Sequence, residues 1–299
     1  MGRYKETGSR DTDAVLRGIN EIDERMLTDR RMRLSEIHEL VTAVAAEVQN
    51  SEAAISRLEA IRPTRDRDNT VSALERVVLC HEYLTLYPDT QGFQRELFFG
   101  SSETLSNSSE NTVAYIENTY TEEAFKLFSK ELGSAVSVSV TSFEELCEMV
   151  YSGSSEFGII PIETSETGKL ARFYSLINKY DLKIASVLNI SSPDKTSETG
   201  FALIRKNIDY PKLKLGRPDF FEMFVMLNET ETFSEILAAA EFCHMSLYRI
   251  DSFPISHQGG KYTLCPVFKT ENSVIDSFLL YMALDFPRYT PKGIYSQLN

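Results

Sequence analysis

Apolar residues recur at three- and four-residue spacing along the first part of the chain, a pattern typical of amphipathic helices. The stripe comprises Leu16, Ile19, Ile22, Met26, Leu27, Leu34, Ile37, Leu40, Val41, Val44 and Val48. Pro63 and the charged run at 62–68 interrupt it, and a further helix is predicted at about 70–83. The pattern therefore predicts a helical segment over residues 12–88. Because helices of this kind bury one face against a neighbour, we expect a bundle or a dimer.

The rhythm of the chain changes after this helical segment. Residues 89–110 are rich in Ser, Asn and Glu, which indicates a linker. Short apolar runs then alternate with helical patterns over residues 111–208. Strands are predicted at 112–116, 136–140, 157–162, 183–188 and 200–205, and helices at 121–132, 143–151 and 168–179. This alternation predicts a parallel or mixed sheet covered by helices.

The last part of the chain, residues 212–296, has a different order of elements. Strands are predicted at 220–227, 246–253, 261–269 and 293–295, and helices at 232–243 and 272–284. That order is βαββαβ, the ferredoxin-like split arrangement. The sequence His-Gln-Gly-Gly at 257–260 predicts a hairpin turn between the two central strands. The expected fold class is a multidomain protein with α+β and α/β parts.

Composition and charge exclude several classes of partner. The 299-residue chain carries a formal net charge of −13, whereas nucleic acids and anionic membranes select clustered Lys and Arg. No apolar run approaches the 18 or so residues of a membrane-spanning helix. Its four cysteines and four histidines show no metal-ligand spacing, so neither a metal nor another cofactor is expected. Reduced, buried thiols are typical of a cytoplasmic protein.

One strand carries the best candidate for a binding site. The apolar run Phe-Gly-Ile-Ile-Pro-Ile at 157–162 leads directly into Glu163, Thr164 and Ser165. In an open α/β sheet, polar residues just past the carboxyl end of a strand lie at the ligand crevice. The alternative is that residues 164–167 only cap the following helix. Both interpretations remain open at this point.

The order of motifs between residues 113 and 190 resembles the first lobe of prephenate dehydratases. The strand Val-Ala-Tyr-Ile is followed by the triplet 119–121 (Thr-Tyr-Thr), similar to the Ser-Tyr-Ser-like triplet of that family. The segments SFEELCEMV (142–150), EFGIIPIETSETG (156–168) and YSLINKYDLKIASVLNI (174–190) continue the match. The resemblance implies one α/β lobe like those of periplasmic binding proteins, and prephenate as the substrate. It assigns catalytic positions to Glu163, Thr164, Thr199, Phe201 and Thr121.

Two further resemblances extend along the chain. The C-terminal βαββαβ unit resembles an ACT domain, with Asp-Ser-Phe-Pro at 251–254 where that family has Glu-Ser-Arg-Pro. It implies an aromatic amino acid such as L-phenylalanine as effector, bound by Asp251, Ser252, Pro254 and Thr232. A lone four-stranded sheet with exposed edges also favours a homodimer or higher homo-oligomer. Residues 16–34 are similar to the first helix of chorismate mutases, with Arg33 at a matching position.

The sequence departs from the dehydratase pattern at two places. The chain passes from the strand ending near Ile190 directly to Thr199, so a second lobe is absent, and Gly200 stands where the Thr-Arg-Phe signature has its arginine. A guanidinium is the usual partner of a carboxylate substrate, so its loss predicts impaired catalysis and a regulatory or binding role. One alternative is an active dehydratase or mutase completed by a partner subunit. Another is a structural or interaction protein.

Overall fold

The computed structural model describes residues 70–86, 111–194, 196–207, 219–254, 262–271, 273–286 and 288–298, with separate helical positions between 17 and 32. The predicted linker at 89–110, the predicted turn at 257–260 and Arg33 lie outside these residues. Most of the predicted helical segment 12–88 also lies outside the described residues. The last helix predicted there, at about 70–83, is present as residues 70–86.

The described residues form six helices and ten strands. The helices are α1 (Thr70–Leu86), α2 (Thr119–Glu131), α3 (Phe143–Ser152), α4 (Ala171–Lys179), α5 (Phe233–Phe242) and α6 (Ile275–Asp285). The strands are β1 (Asn111–Tyr115), β2 (Ala135–Ser139), β3 (Phe157–Thr164), β4 (Gly168–Lys169), β5 (Lys183–Ser191), β6 (Glu198–Arg205), β7 (Phe220–Val225), β8 (Ser246–Pro254), β9 (Tyr262–Lys269) and β10 (Tyr289–Leu298). The predicted fold class, with α/β and α+β parts, is confirmed, and the strands belong to one large mixed sheet.

The first unit of the sheet has the strand order β2-β1-β3-β6-β5. β1 pairs in parallel with β2 and β3, whereas β6 is antiparallel to both β3 and β5. Local sequence fixes the ends of the crossover helices. In α3, the Ser142 hydroxyl accepts a hydrogen bond from the Glu145 N–H, and Gly153 ends the helix with a left-handed φ of 78°. We call residues 111–207 of this unit the lobe.

A tight connection replaces any second lobe between β5 and β6. Only residues 192–197 separate the two strands, which pair antiparallel along their whole length. The Ser192 N–H donates to the Ser197 carbonyl at 2.8 Å and closes this connection. The chain therefore leaves no room for an additional domain at this point.

The second unit has the antiparallel strand order β10-β7-β9-β8. This is the predicted βαββαβ order, and we call residues 219–298 the ferredoxin-like unit. One face of its sheet packs against its own helices, with Phe221 of β7 against Phe278 of α6 and Met223 in the same core. α1 lies on the outside of α5 and α6 and extends this core, to which it contributes Val77 and Leu79.

The two units share one continuous sheet, because β10 also pairs in parallel with β5 of the lobe. The expected lone four-stranded sheet is therefore wrong in one respect: one of its edges is covered, and β8 is the edge that remains. We call the pairing of β10 with β5 the seam. The two backbones lie close together at Gly293, where an added Cβ would lie 2.5 Å from the Ile184 carbonyl oxygen. Glycine at this position permits the close approach of the two backbones.

Candidate functional site

The predicted crevice residues meet at one edge of the lobe. In the pairing of β3 with β6, Glu163 lies opposite Gly200 and Thr164 lies opposite Thr199. The carboxyl end of β1 and the start of α2 lie at the same edge, because β1 runs parallel to β3. We call Glu163, Thr164, Thr199 and Gly200 the crevice residues. Their proximity is the structural condition that the dehydratase resemblance required.

Thr164 closes a turn between two strands. Its hydroxyl accepts a hydrogen bond from the Thr167 N–H at 3.1 Å, and the two hydroxyls lie 2.7 Å apart. The turn leads into β4, which pairs with the end of β3, so the helix predicted from residue 168 begins only at Ala171. The predicted start was too early because Gly168 has a left-handed φ of 68°. The residue that caps α4 is Leu170, without a side-chain hydrogen bond, so Thr164 does not cap a helix.

The space above Gly200 is occupied by the side chain of Glu163. A Cβ added at Gly200 would lie 2.6 Å from the Glu163 Cγ and 3.2 Å from its Oε1. The same Cβ would lie 3.2 Å from the Asn189 Oδ1. An arginine at position 200 would therefore require Glu163 to move. The missing guanidinium and the position of Glu163 are linked features of this crevice.

A cation from the ferredoxin-like unit reaches the crevice instead. Arg249 of β8 donates from Nη2 to the Glu163 Oε2 at 2.7 Å and from Nε to the Asp251 Oδ2 at 2.9 Å. Partial burial lowers the pKa of Arg249, but the hydrogen bond and the charges of the two carboxylates more than offset it, so the guanidinium stays charged. We call Glu163, Arg249 and Asp251 the bridge, since they connect the lobe to β8.

A second, buried group of polar side chains lies beside the bridge. Lys169 of β4 forms an ion pair with Glu222 of β7, and their side chains are 4% and 1% exposed. The Cys265 thiol donates to the Glu222 carboxylate at 3.1 Å, and the Tyr295 hydroxyl donates to its other oxygen at 2.8 Å. Lys169 Nζ also lies 3.5 Å from the Cys265 Sγ. We call these four residues the buried polar cluster.

Charge pairing keeps Lys169 and Glu222 of this cluster ionised. Burial alone raises the pKa of Glu222, but the Lys169 ammonium and the three hydrogen bonds to the carboxylate hold it below its ordinary value. Burial likewise lowers the pKa of Lys169, and Glu222 reverses that effect, so the net shift is upward. Burial and the neighbouring carboxylate raise the pKa of the Cys265 thiol well above its usual range. The thiol is therefore protonated and unreactive while it remains covered.

An aromatic contact joins the same two units. Phe253 of β8 stacks on Tyr174 of α4, with ring centroids 5.4 Å apart and an interplanar angle of 23°. Tyr174 also contacts Phe224 of β7 at 6.1 Å between centroids. Phe253 stands where the ACT pattern has its arginine. Its aromatic ring packs against the lobe, and this contact joins β8 to α4.

The remaining predicted site residues are differently placed. The Thr121 hydroxyl is used within the capping box of α2, where it accepts from the Asn118 N–H at 3.1 Å. Phe201 is buried in the core between the sheet of the lobe and α2. The Thr232 N–H donates to the Glu235 carboxylate at 2.8 Å, in the capping box of α5. Their roles in catalysis or effector binding stay predictions.

Three predicted effector residues lie on β8, in the bridge or close to it in sequence. Asp251 is a member of the bridge, and Ser252 is exposed on the adjacent position. Pro254 ends the strand, and its side chain lies outside the described set. Sequence reasoning therefore found both carboxylates of the bridge but missed the cation between them. It also missed Lys169 and Glu222, although a charged residue inside the apolar run FFEMFV is a signal for a buried ion pair.

Within the described part of the chain, no group of three or more His, Cys, Asp or Glu side chains is arranged to hold a metal ion. No helix in that part is long and apolar enough to cross a membrane.

Comparisons with family models and with solved structures found proteins that part of this chain is similar to. Residues 116–192 match the family model described as prephenate dehydratase. The structure of prephenate dehydratase from Streptococcus mutans is similar at a TM-score of 0.53 and 16% identity, covering 63% of this chain and all of that one. A protein described as GqqA, a novel type of quorum-quenching acylase, has a TM-score of 0.49 at 13% identity, covering 62% of this chain and 94% of that one. Prephenate dehydratase from Arthrobacter aurescens, in complex with L-Phe, has a TM-score of 0.47 at 14% identity, covering 62% of this chain and 90% of that one. No curated protein matches the sequence.

Proposed function

We propose that this chain, whose resemblance to the prephenate dehydratase family is confirmed over residues 116–192, is a catalytically impaired relative that binds and responds to an aromatic amino acid. A single observation carries the proposed loss of catalysis. The crevice has Glu163 lying over Gly200, at the position of the signature arginine, and the chain's own β8 reaches Glu163.

The charge of the crevice supports the loss of dehydratase activity. Prephenate carries two carboxylates, which need cations in a site that excludes water. The bridge has two carboxylates for one guanidinium, so it has no spare positive charge for a dianion. Glu166 and Glu198, both exposed near the crevice, add to its negative potential. A dianionic substrate such as prephenate would therefore be repelled here.

The missing wall supports the same conclusion. A ligand crevice buries most of a small molecule between two surfaces. Only residues 192–197 connect β5 to β6, so the second surface does not come from a second lobe at this point of the chain. The nearest surface is instead β8 of the ferredoxin-like unit. Without water exclusion, charge stabilisation of a transition state is weak.

An amino-acid-binding role is supported by the resemblance of the ferredoxin-like unit to ACT domains. Asp251 and Ser252 stand in the matching segment of β8, and Thr232 stands at the start of α5. A carboxylate and hydroxyls are suitable partners for the ammonium and carboxylate groups of an amino acid. The exposed edge of β8 also favours pairing with a second copy of the chain, which suits the proposed homodimer or higher homo-oligomer. We place this protein in the cytoplasm, where its four free cysteines would remain reduced.

A second candidate is a working prephenate dehydratase whose missing wall is supplied by a partner subunit. The match of residues 116–192 to the family model favours this alternative, because the match includes the segment that leads into the crevice. In that case the phenylalanine branch of aromatic amino-acid synthesis would be its pathway. Only the second candidate function predicts that prephenate is converted, whereas both predict that the chain binds a small ligand.

Ligand binding is tested by thermal unfolding of the full chain with L-phenylalanine, L-leucine or prephenate. A ligand that binds only the native state at about 100 times its Kd stabilises the protein by about 2.7 kcal/mol. We therefore expect L-phenylalanine to raise the Tm by about 5 °C or more, with a smaller effect of L-leucine and none of prephenate. The Ser252→Ala variant is expected to reduce the L-phenylalanine shift without changing the Tm of the free protein, because Ser252 is exposed.

The absence of a Tm shift with L-phenylalanine in the wild-type protein would contradict an effector role for this amino acid. An equal shift in wild type and Ser252→Ala would instead place binding away from this part of β8.

A further inference from the structure

The bridge lies at the boundary between solvent and the interior. The side chains of Glu163, Arg249 and Asp251 are 28%, 36% and 29% exposed, so water reaches all three. Both carboxylates contact the guanidinium at hydrogen-bonding distance. Charge-assisted hydrogen bonds at partly exposed positions are strong enough to hold two segments together and weak enough to break.

The buried polar cluster lies directly behind the bridge. Asp251 of β8 is paired across the sheet with Cys265 of β9, and the Asp251 Oδ2 lies 3.8 Å from the Lys169 Nζ. Lys169 and Glu222 are almost fully covered, and Cys265 is fully covered. A movement of β8 away from the end of β3 would therefore admit water to the buried polar cluster.

The bridge joins elements that are distant in the chain. Glu163 and Arg249 are 86 positions apart and belong to different units. Three contacts hold β8 to the lobe near this point: the pair of Arg249 with Glu163, the longer approach of Asp251 to Lys169, and the stack of Phe253 on Tyr174. The seam between β5 and β10 lies elsewhere in the sheet, so it can persist while β8 moves.

We infer that the bridge is a latch, in which Arg249 holds β8 against the crevice and keeps the buried polar cluster closed to solvent. Opening the latch separates Arg249 from Glu163 and exposes Cys265 while the two units stay joined through β5 and β10. The latch also ties together two positions that the family resemblances assign to separate sites, Glu163 in the crevice and Asp251 in the effector segment. The Arg249 guanidinium thus contacts one residue of each of these two sites.

The rate of alkylation of Cys265 measures opening without any ligand. The full chain is treated with N-ethylmaleimide under native conditions, and the four cysteines are followed separately by peptide mass spectrometry. When opening is fast, labelling of a covered thiol follows the population of the open form. Removing the guanidinium in Arg249→Met is expected to raise the rate at Cys265 about tenfold, which corresponds to about 1.4 kcal/mol of lost interaction.

Three internal controls and two further variants define the outcome. Cys80, Cys147 and Cys243 are buried elsewhere and should keep their wild-type rates. Glu163→Gln breaks the same link from the lobe side and should also accelerate Cys265. Arg172→Met removes an exposed arginine that pairs with Glu144, so it should leave Cys265 unchanged.

Equal Cys265 rates in wild type, Arg249→Met and Glu163→Gln would overturn the latch. A parallel increase at all four cysteines would overturn it too, because that pattern reports general destabilisation. Neither result depends on prephenate or an amino acid, so failure of the latch is distinguishable from failure of the proposed function.

Discussion

Replacing Arg76 with Met is expected to lower the free energy of unfolding by about 3–5 kcal/mol, the usual cost of breaking a buried ion pair from one side. Arg76 of α1 is 1% exposed and pairs with two buried carboxylates, through Nη2 with the Glu235 Oε1 at 3.1 Å and through Nε with the Asp285 Oδ1 at 2.9 Å. Met keeps most of the side-chain volume, but it leaves both carboxylates without this cation. Denaturant unfolding followed by circular dichroism measures the loss.

The same substitution tests whether α1 belongs to the ferredoxin-like unit. Glu235 both binds Arg76 and caps α5 at Thr232, so α1 is connected to the start of that helix. The exposed Arg172→Met is a matched control and should change stability by less than about 1 kcal/mol. A loss of under 1 kcal/mol in Arg76→Met would show that α1 contributes little to this core.

Replacing Lys292 with Met is expected to have the opposite sign and to stabilise the protein at neutral pH. Lys292 of β10 is fully buried at the seam, and its Nζ lies 3.6 Å from the Asp181 Oδ1 and 5.0 Å from the Phe224 ring. Asp181 also pairs with the buried Lys183 at 2.7 Å, so one carboxylate serves two buried ammonium groups. Burial and the neighbouring Lys183 charge lower the pKa of Lys292 from 10.5 to about 8.

The shift of Lys292 sets the direction of its pH dependence. The unfolded chain holds this proton more tightly than the folded chain, so charging Lys292 disfavours folding below about pH 8. The penalty is on the order of 3 kcal/mol there, since one pKa unit is about 1.4 kcal/mol. It decreases as the pH rises from about 8 and is gone near pH 10.5. Lys292→Met should therefore be more stable than wild type at pH 7, and the difference should disappear towards pH 10.5.

Urea unfolding of both proteins between pH 7 and 10.5 measures this difference. Subtracting one curve of unfolding free energy against pH from the other removes the contributions of tyrosines and cysteines that titrate in the same range. A variant that is less stable than wild type at pH 7 would show that the contacts of Lys292 outweigh the cost of burying its charge.

The elements of the fold were largely predictable from the sequence. Alternating short strands and helices predicted the lobe, and the split βαββαβ order predicted the ferredoxin-like unit, because hydrophobic periodicity is a local signal. The parallel seam of β10 with β5 was not predictable in this way. It depends on Gly293 allowing two backbones to approach, and a glycine within a strand is equally typical of a bulge or a tight bend.

The candidate site was predictable only in part. The run FGIIPIET and the strand that contains Thr199 predicted that Glu163 and Thr199 lie at the same sheet edge. They do, since Thr199 pairs with Thr164, the residue after Glu163. Arg249 gave no such signal, because its partner Glu163 is 86 positions away and on a different unit. The helix predicted from about Gly168 is present but begins later, at Ala171, for a local reason. The polar run before it forms the β3–β4 turn, and sequence periodicity does not distinguish such a turn from a helix cap.

Conversion of prephenate to phenylpyruvate by the purified full chain tests the proposed loss of catalysis most directly. With an active prephenate dehydratase as positive control in the same buffer, we expect phenylpyruvate to form at the uncatalysed rate only. The contrary result would be turnover of about one per second or faster, an ordinary enzymatic rate. If that turnover also disappeared in Thr199→Val, it would show that the crevice beside Glu163 still works as an active site.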